Sequence, residues 1–95
     1  MHSEKELFVT YDIEDDKLRT KISKRLLYFG LRRIQYSVFW GDVQEKDIVE
    51  MKEFFKGLEY GAKDRVVMTE VNIEDLKKTT QYGEKIRRPK DYLIV

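Results

Sequence analysis

Apolar positions along this chain change period several times, and each change marks an element. "LFVTYD" alternates and is rich in β-branched and aromatic residues, which predicts a strand over residues 6–12. From Asp15 or Asp16 the spacing turns helical, with Leu18, Ile22, Leu26 and Phe29 on one stripe. The short acids at its start suit an N-cap and the positive end of the helix dipole, and Gly30 suits the left-handed residue that stops it. "RIQYSVFWG" returns to period two and reads as a second strand over 33–41. Ile34, Tyr36, Val38 and Trp40 would face one side, and Gln35, Ser37 and Phe39 the other. A long bent strand and the lead-in to a hairpin both satisfy residues 34–43.

A second helix is predicted over 44–60, with Ile48, Met51, Phe55 and Leu58 on one face, Phe54 beside it and Gly61 at its end. "DRVVMTEV" predicts a strand over 65–71, and the polar stretch 73–82 a short fourth strand or a turn. Pro89 breaks any ladder near it, and "DYLIV" reads as a final strand at 91–95. The order β-α-β-α-β with later short strands approaches the ferredoxin-like βαββαβ signature. That α+β fold has an antiparallel sheet with two helices on one face. Two helices leave the other face for a partner, most simply a second copy across a twofold axis.

Composition narrows the chemistry. Ninety-five residues fit one domain, 1–95. Cysteine is absent, which excludes disulfides, thiolate zinc sites and cysteine nucleophiles. The one histidine, His2, lies near the N-terminus, so His general bases and Ser-His-Asp triads are excluded too. No apolar run approaches the roughly 20 residues of a membrane span. "MHSEKELF" has no secretory h-region, so a cytoplasmic location is expected. The net charge of +1 hides an uneven distribution. Residues 17–33 carry seven cations (Lys17, Arg19, Lys21, Lys24, Arg25, Arg32 and Arg33) and no acid. Residues 42–60 carry six acids against three lysines, and Lys77, Lys78, Lys85, Arg87, Arg88 and Lys90 form a second basic cluster. The first cluster favours nucleic acid, since Lys and Arg neutralise phosphates in a sequence-tolerant, salt-sensitive way. Tyr11, Tyr36, Phe39 and Trp40 suit either base stacking or core and dimer packing.

The acids Asp12, Glu14, Asp15 and Asp16 have two readings, as turn and cap chemistry or as a metal site. An EF-hand fails, because Lys17 stands where the loop requires Gly. Asp12 differs from the others in belonging to the strand, which gives its carboxylate a set direction. Mg²⁺ accepts one or two carboxylates with waters and substrate phosphates, and one Asp per protomer doubled across a twofold meets that minimum.

Tyr11-Asp12, Asp15-Asp16-Lys17, Phe29-Gly30, Arg32-Arg33 and Gln35-Tyr36-Ser37-Val38-Phe39 together resemble the second of the two universal CRISPR-associated (Cas) proteins, a small spacer-acquisition family. The likeness covers at least residues 7–43 and extends more loosely through 64–71, Tyr82-Gly83 and the terminal strand. Trp40 departs from it, where many members carry an acid. The resemblance implies a ferredoxin-like homodimer whose C-terminal strand packs on the partner's sheet. It implies Asp12 of each protomer near the twofold axis as a ligand of Mg²⁺ or Mn²⁺, with Tyr11, Arg19, Arg33, Phe39 and, less centrally, Ser37 supporting the site or the substrate. It also implies two roles: metal-dependent endonuclease activity on RNA or double-stranded DNA, and bridging of CRISPR integrase dimers during spacer capture. A non-catalytic DNA-binding scaffold dimer is the alternative. A small-ligand regulatory domain on the same fold would call for a Gly-rich loop that this chain lacks.

Overall fold

The structure, a computed structural model, describes residues 4–84. Its elements are β1 (Glu4–Asp12), α1 (Asp16–Tyr28), β2 (Arg32–Gln35), β3 (Val38–Gln44), α2 (Glu45–Lys56), β4 (Arg65–Val71) and α3 (Ile73–Leu76). The four strands form one sheet in the order β2-β3-β1-β4, and every pairing is antiparallel. This is a small α+β domain with the ferredoxin-like βαββαβ arrangement followed by one helical turn.

The stretch read as a strand over 33–41 is two strands of a hairpin, the second of the two forms open for residues 34–43. The chain reverses at Tyr36 and Ser37, and β3 then runs on to Gln44. A two-residue turn alone would flip the alternation, as in the pairing of Gln35 with Val38. The extra residue between Arg33 and Gln35 restores it by pairing Arg33 with Phe39 and Arg32 with Trp40. The turn also has none of the usual Asn-Gly signals, so alternation alone does not show the reversal. The predicted second helix also stops early, at Gly57, whose N–H bonds the carbonyls of Glu53 and Phe54. Leu58 remains partly buried beyond that end, so the apolar spacing outlasts the helix. Gly61 instead opens a turn closed by Asp64, whose Oδ2 accepts from its N–H at 2.7 Å. The predicted short strand or turn in 73–82 is the single turn α3. The predicted strand at 91–95, Pro89 and His2 lie outside the described residues.

The core lies between one sheet face and the two long helices. Leu7, Val9 and Tyr11 point inward from β1, as alternation requires. Ile22 and Leu26 of α1 and Ile48, Met51 and Phe55 of α2 meet them, with Leu18 and Phe29 partly buried at the ends of the α1 stripe. Fully burying one such aliphatic side chain contributes about 1.5–3 kcal/mol. Asp15 caps α1 by accepting from Leu18 N at 2.8 Å, and Gly30 beyond its end has φ +93°. Gln44 and Asp47 form a capping box on α2. Gly41 lets the α1–β2 connection cross β3 closely: a Cβ there would sit 2.9 Å from Leu31 Cα.

The opposite face is only partly open. Phe8 and Trp40, opposite one another on β1 and β3, stack with ring centroids 5.2 Å apart. Leu76 of α3 buries itself against Trp40, and Ile34 packs beside them. Part of the face that two helices leave bare is therefore covered by this chain's own third helix.

Candidate nucleic-acid interface and strand-end carboxylate

The four clustered acids separate by function. Asp15 is the N-cap of α1, and Asp16 pairs with Arg19 one turn on. Glu14 is a turn residue whose backbone N–H donates to Asp64 Oδ1 at 3.0 Å. Asp12 ends β1 and is exposed, and alternation sets it on the face away from Tyr11. Arg65 of β4 stands opposite it. Among the described residues no group of three His, Cys, Asp or Glu side chains could hold a metal ion. The described residues therefore build no three-ligand cage around Asp12, and a Mg²⁺ ion there would need further ligands from a partner, water or phosphate.

Tyr11, Arg19, Arg33 and Phe39 gather on the other side of the sheet. The Tyr11 and Phe39 rings stack at 6.1 Å, and the Arg33 guanidinium lies over Phe39 at 5.1 Å and over Tyr36 at 5.7 Å. Phe39 is fully buried, so it supports these groups from beneath and meets no substrate itself. Arg19 turns inward: its Nη1 donates to the carbonyls of Ile13 at 2.7 Å and Glu14 at 2.8 Å, while Nη2 meets Asp16. Ser37 contributes its carbonyl, which accepts from Tyr11 N at 3.1 Å.

These residues border a cavity of about 160 Å³ lined by Tyr11, Asp16, Arg19, Thr20, Ser23, Arg33 and Tyr36. Burial pushes the Tyr11 phenol above its ordinary value; Tyr36 adds to the rise, while the charges of Arg33 and Arg19 oppose it. Thr20 and Ser23 were not singled out from the sequence. Their helical offsets from Arg19 carry a signal only once the face of α1 turned toward β1 is known. Of the four aromatics considered for stacking, Tyr11, Phe39 and Trp40 are buried, and Tyr36 at the hairpin turn is 71% exposed.

The cationic surface follows α1. Lys17, Lys21 and Lys24 are exposed at helical offsets of four and three residues, with Arg25 exposed alongside. Arg25 lies over the Phe54 ring at 4.7 Å and joins α1 to α2. Arg32 is exposed on the opposite sheet face, across from Trp40. Among the described residues, Lys17, Lys21, Lys24, Arg25 and Arg33 form no salt bridge with a carboxylate. A wide groove between the start of α1 and residues 57–64 is different, because Glu14, Asp15, Asp16, Glu59 and Asp64 line it with Lys17 and Lys21. Phosphate-seeking character therefore concentrates further along α1, from Lys21 to Arg25.

Fold and surface together define a small ferredoxin-like domain with a cation-rich first helix on one side of the sheet and the strand-end aspartate Asp12 on the other. The family described as "CRISPR associated protein Cas2" matches residues 6–79, and the chain belongs to that family. It is 38% identical over 92 residues to a "CRISPR-associated endoribonuclease Cas2 1" of Francisella tularensis subsp. novicida, covering 97% of this chain and 94% of that protein. A "CRISPR-associated endoribonuclease Cas2" of Korarchaeum cryptofilum is 36% identical over 77 residues, 81% of this chain and 83% of the relative. A Methanospirillum hungatei protein named "CRISPR-associated endoribonuclease Cas2 1" is 46% identical over 52 residues, 55% of each chain. No helix among the described residues is long and apolar enough to cross a membrane.

Proposed function

We propose that this chain serves CRISPR adaptation as a nucleic-acid-binding scaffold, a homodimer that holds DNA along its cationic helices and docks integrase subunits. The observation that carries this reading is the group Lys21, Lys24 and Arg25, exposed and without a salt bridge to a carboxylate among the described residues. Cations clustered along one helix face cost self-repulsion, which a phosphate backbone relieves. Family membership supports the same setting.

The test is duplex affinity as a function of salt. The slope of log K against log[salt] should fall by up to about 0.9 for each phosphate contact removed by Lys21→Gln or Lys24→Gln. A slope unchanged in the double variant would count against the helix as the binding surface. Asp12→Ala should leave both duplex affinity and spacer integration in a reconstituted system intact; loss of integration would overturn the scaffold reading.

The relatives' printed name supports a second reading, an endoribonuclease-like activity. On that reading Asp12 of two protomers would hold Mg²⁺ or Mn²⁺, and the ion would offset charge developing on a phosphodiester. Asp12→Ala would then abolish cleavage with substrate affinity kept. Cleavage by the variant at the wild-type rate would rule the reading out.

A further inference from the structure

We propose that the cavity between α1 and the β2–β3 turn takes the phosphate of an unpaired nucleotide, with the exposed ring of Tyr36 stacking on its base. The inference rests on the nucleic-acid reading above and names the feature of the strand that this site recognises: an unpaired end or overhang, as distinct from duplex.

Arg33 is the cation available to an anion in the cavity. Arg19 also lines it, but Arg19 spends its donors on the carbonyls of Ile13 and Glu14 and on Asp16. That pairing also balances the one carboxylate lining the cavity. Arg33 has no carboxylate partner among the described residues; it is held against Phe39 and Tyr36. Contact of a guanidinium with ring faces leaves N–H donors at its edge, and these match phosphate oxygens in pairs. Ser23 donates its hydroxyl to the Thr20 carbonyl at 3.1 Å. The hydroxyls of Thr20 and Tyr11 remain as donors, and burial keeps the Tyr11 phenol protonated well beyond neutral pH.

Size sets the division of labour. A volume of about 160 Å³ lies below the roughly 300 Å³ at which pockets for whole small molecules begin. A phosphate group enters and a nucleoside does not, so the base must stay outside, at the mouth. Tyr36 stands there, lining the cavity while 71% exposed. A base within a duplex already has both faces stacked and cannot use this ring, whereas an unpaired base can.

The experiment compares two labelled DNAs by fluorescence anisotropy at one salt concentration: a blunt duplex, and the same duplex with a short unpaired overhang. Wild type should bind the overhang form on the order of tenfold more tightly, the scale of one base–aromatic stack. Tyr36→Ala should erase that preference without weakening blunt-duplex binding, and Tyr36→Phe should keep it. Arg33→Lys should reduce it, because a point charge does not replace the planar fork. An abasic overhang, which keeps the phosphate, should retain the effect of Arg33→Lys and lose that of Tyr36→Ala. Equal wild-type binding of blunt and overhang forms would overturn the subsite while leaving the scaffold reading standing. Absence of binding to both would overturn the scaffold reading itself. A Tyr36→Ala variant weakened equally on both forms would also overturn the subsite, making Tyr36 a general backbone contact.

Discussion

Trp40 donates its indole Nε1–H to Glu6 Oε1 at 2.9 Å, between adjacent strands on the sheet face away from the two long helices. Glu6 is only 5% exposed, so this bond is one of the contacts that allow a carboxylate to sit inside a small domain. Trp40 also stacks on Phe8 and is capped by Leu76. One side chain thus ties β1, β3 and α3 together. Trp40→Phe keeps an aromatic ring and removes the donor. Unfolding by urea should show a loss of about 1.5–3 kcal/mol, the worth of a hydrogen bond to a charged group. Equal stability would mean that the bond has no net worth.

Two glycines separate steric from conformational cost. A Cβ on Gly41 would meet Leu31 Cα at 2.9 Å and the Gly30 carbonyl oxygen at 3.1 Å, both backbone atoms that cannot swing aside. Gly41→Ala should cost about 1–3 kcal/mol through overpacking. Gly30 has open space around it but φ +93°, so Gly30→Ala should cost about 1–2 kcal/mol through backbone strain alone. Denaturation midpoints of the two variants check both figures; a neutral Gly41→Ala would show that the α1–β2 connection moves away freely.

Arg19 and Lys24 should behave as different kinds of cation. Arg19→Ala removes two donors to backbone carbonyls at the start of α1, and the expected loss is about 1.5–3 kcal/mol of stability. Its effect on the salt slope of DNA binding should be small. Lys24→Gln should reverse that order, lowering the slope with little change in stability. Calorimetry and salt titration on the same two variants decide it, and a large slope change in Arg19→Ala would show that its guanidinium reaches phosphate.

Stability should fall at high pH. Burial raises the Tyr11 and Tyr60 phenols above their ordinary value, and bonds to Glu45 and then Glu70 raise the Lys5 ammonium. Each group holds its proton longer in the folded chain than in the unfolded one. The contribution is therefore complete below the unfolded values near 10 and is lost as pH rises through the folded ones. Urea midpoints should be level from pH 7 to about 9.5 and drop beyond it. Tyr11→Phe should make the drop shallower, and an unchanged profile in that variant would remove Tyr11 as a contributor.

Much of the local structure was legible along the chain. The stripe Leu18–Ile22–Leu26–Phe29, the Asp15 cap and the Gly30 stop depend on neighbours within a few residues, and the structure has each of them. The turn at Tyr36 and Ser37 was not resolved because alternation passes through it unbroken. The end of α2 was overrun because Leu58 continues the apolar spacing past Gly57. The candidate site divided along similar lines. Asp12 and the cations of α1 stand out as residue types in a pattern, and strand alternation already sets Asp12 and Tyr11 on opposite faces. Nothing in their order shows that Arg19 and Arg33 gather on the Tyr11 side.

By itself the sequence determined the element types, the domain's ferredoxin-like class, the cation-rich first helix and the family likeness, because these rest on periodicity, capping chemistry and local strings. Tertiary structure alone decided which cations are left unneutralised. Arg19 folds back on Ile13, Glu14 and Asp16, while Arg33, across the cavity, rests on aromatic rings contributed by the β2–β3 turn and β3. Both are arginines in one basic run, and what separates them is contact with segments that only folding brings alongside. Charge becomes available for binding where packing leaves it without a partner, and that is a property of three dimensions.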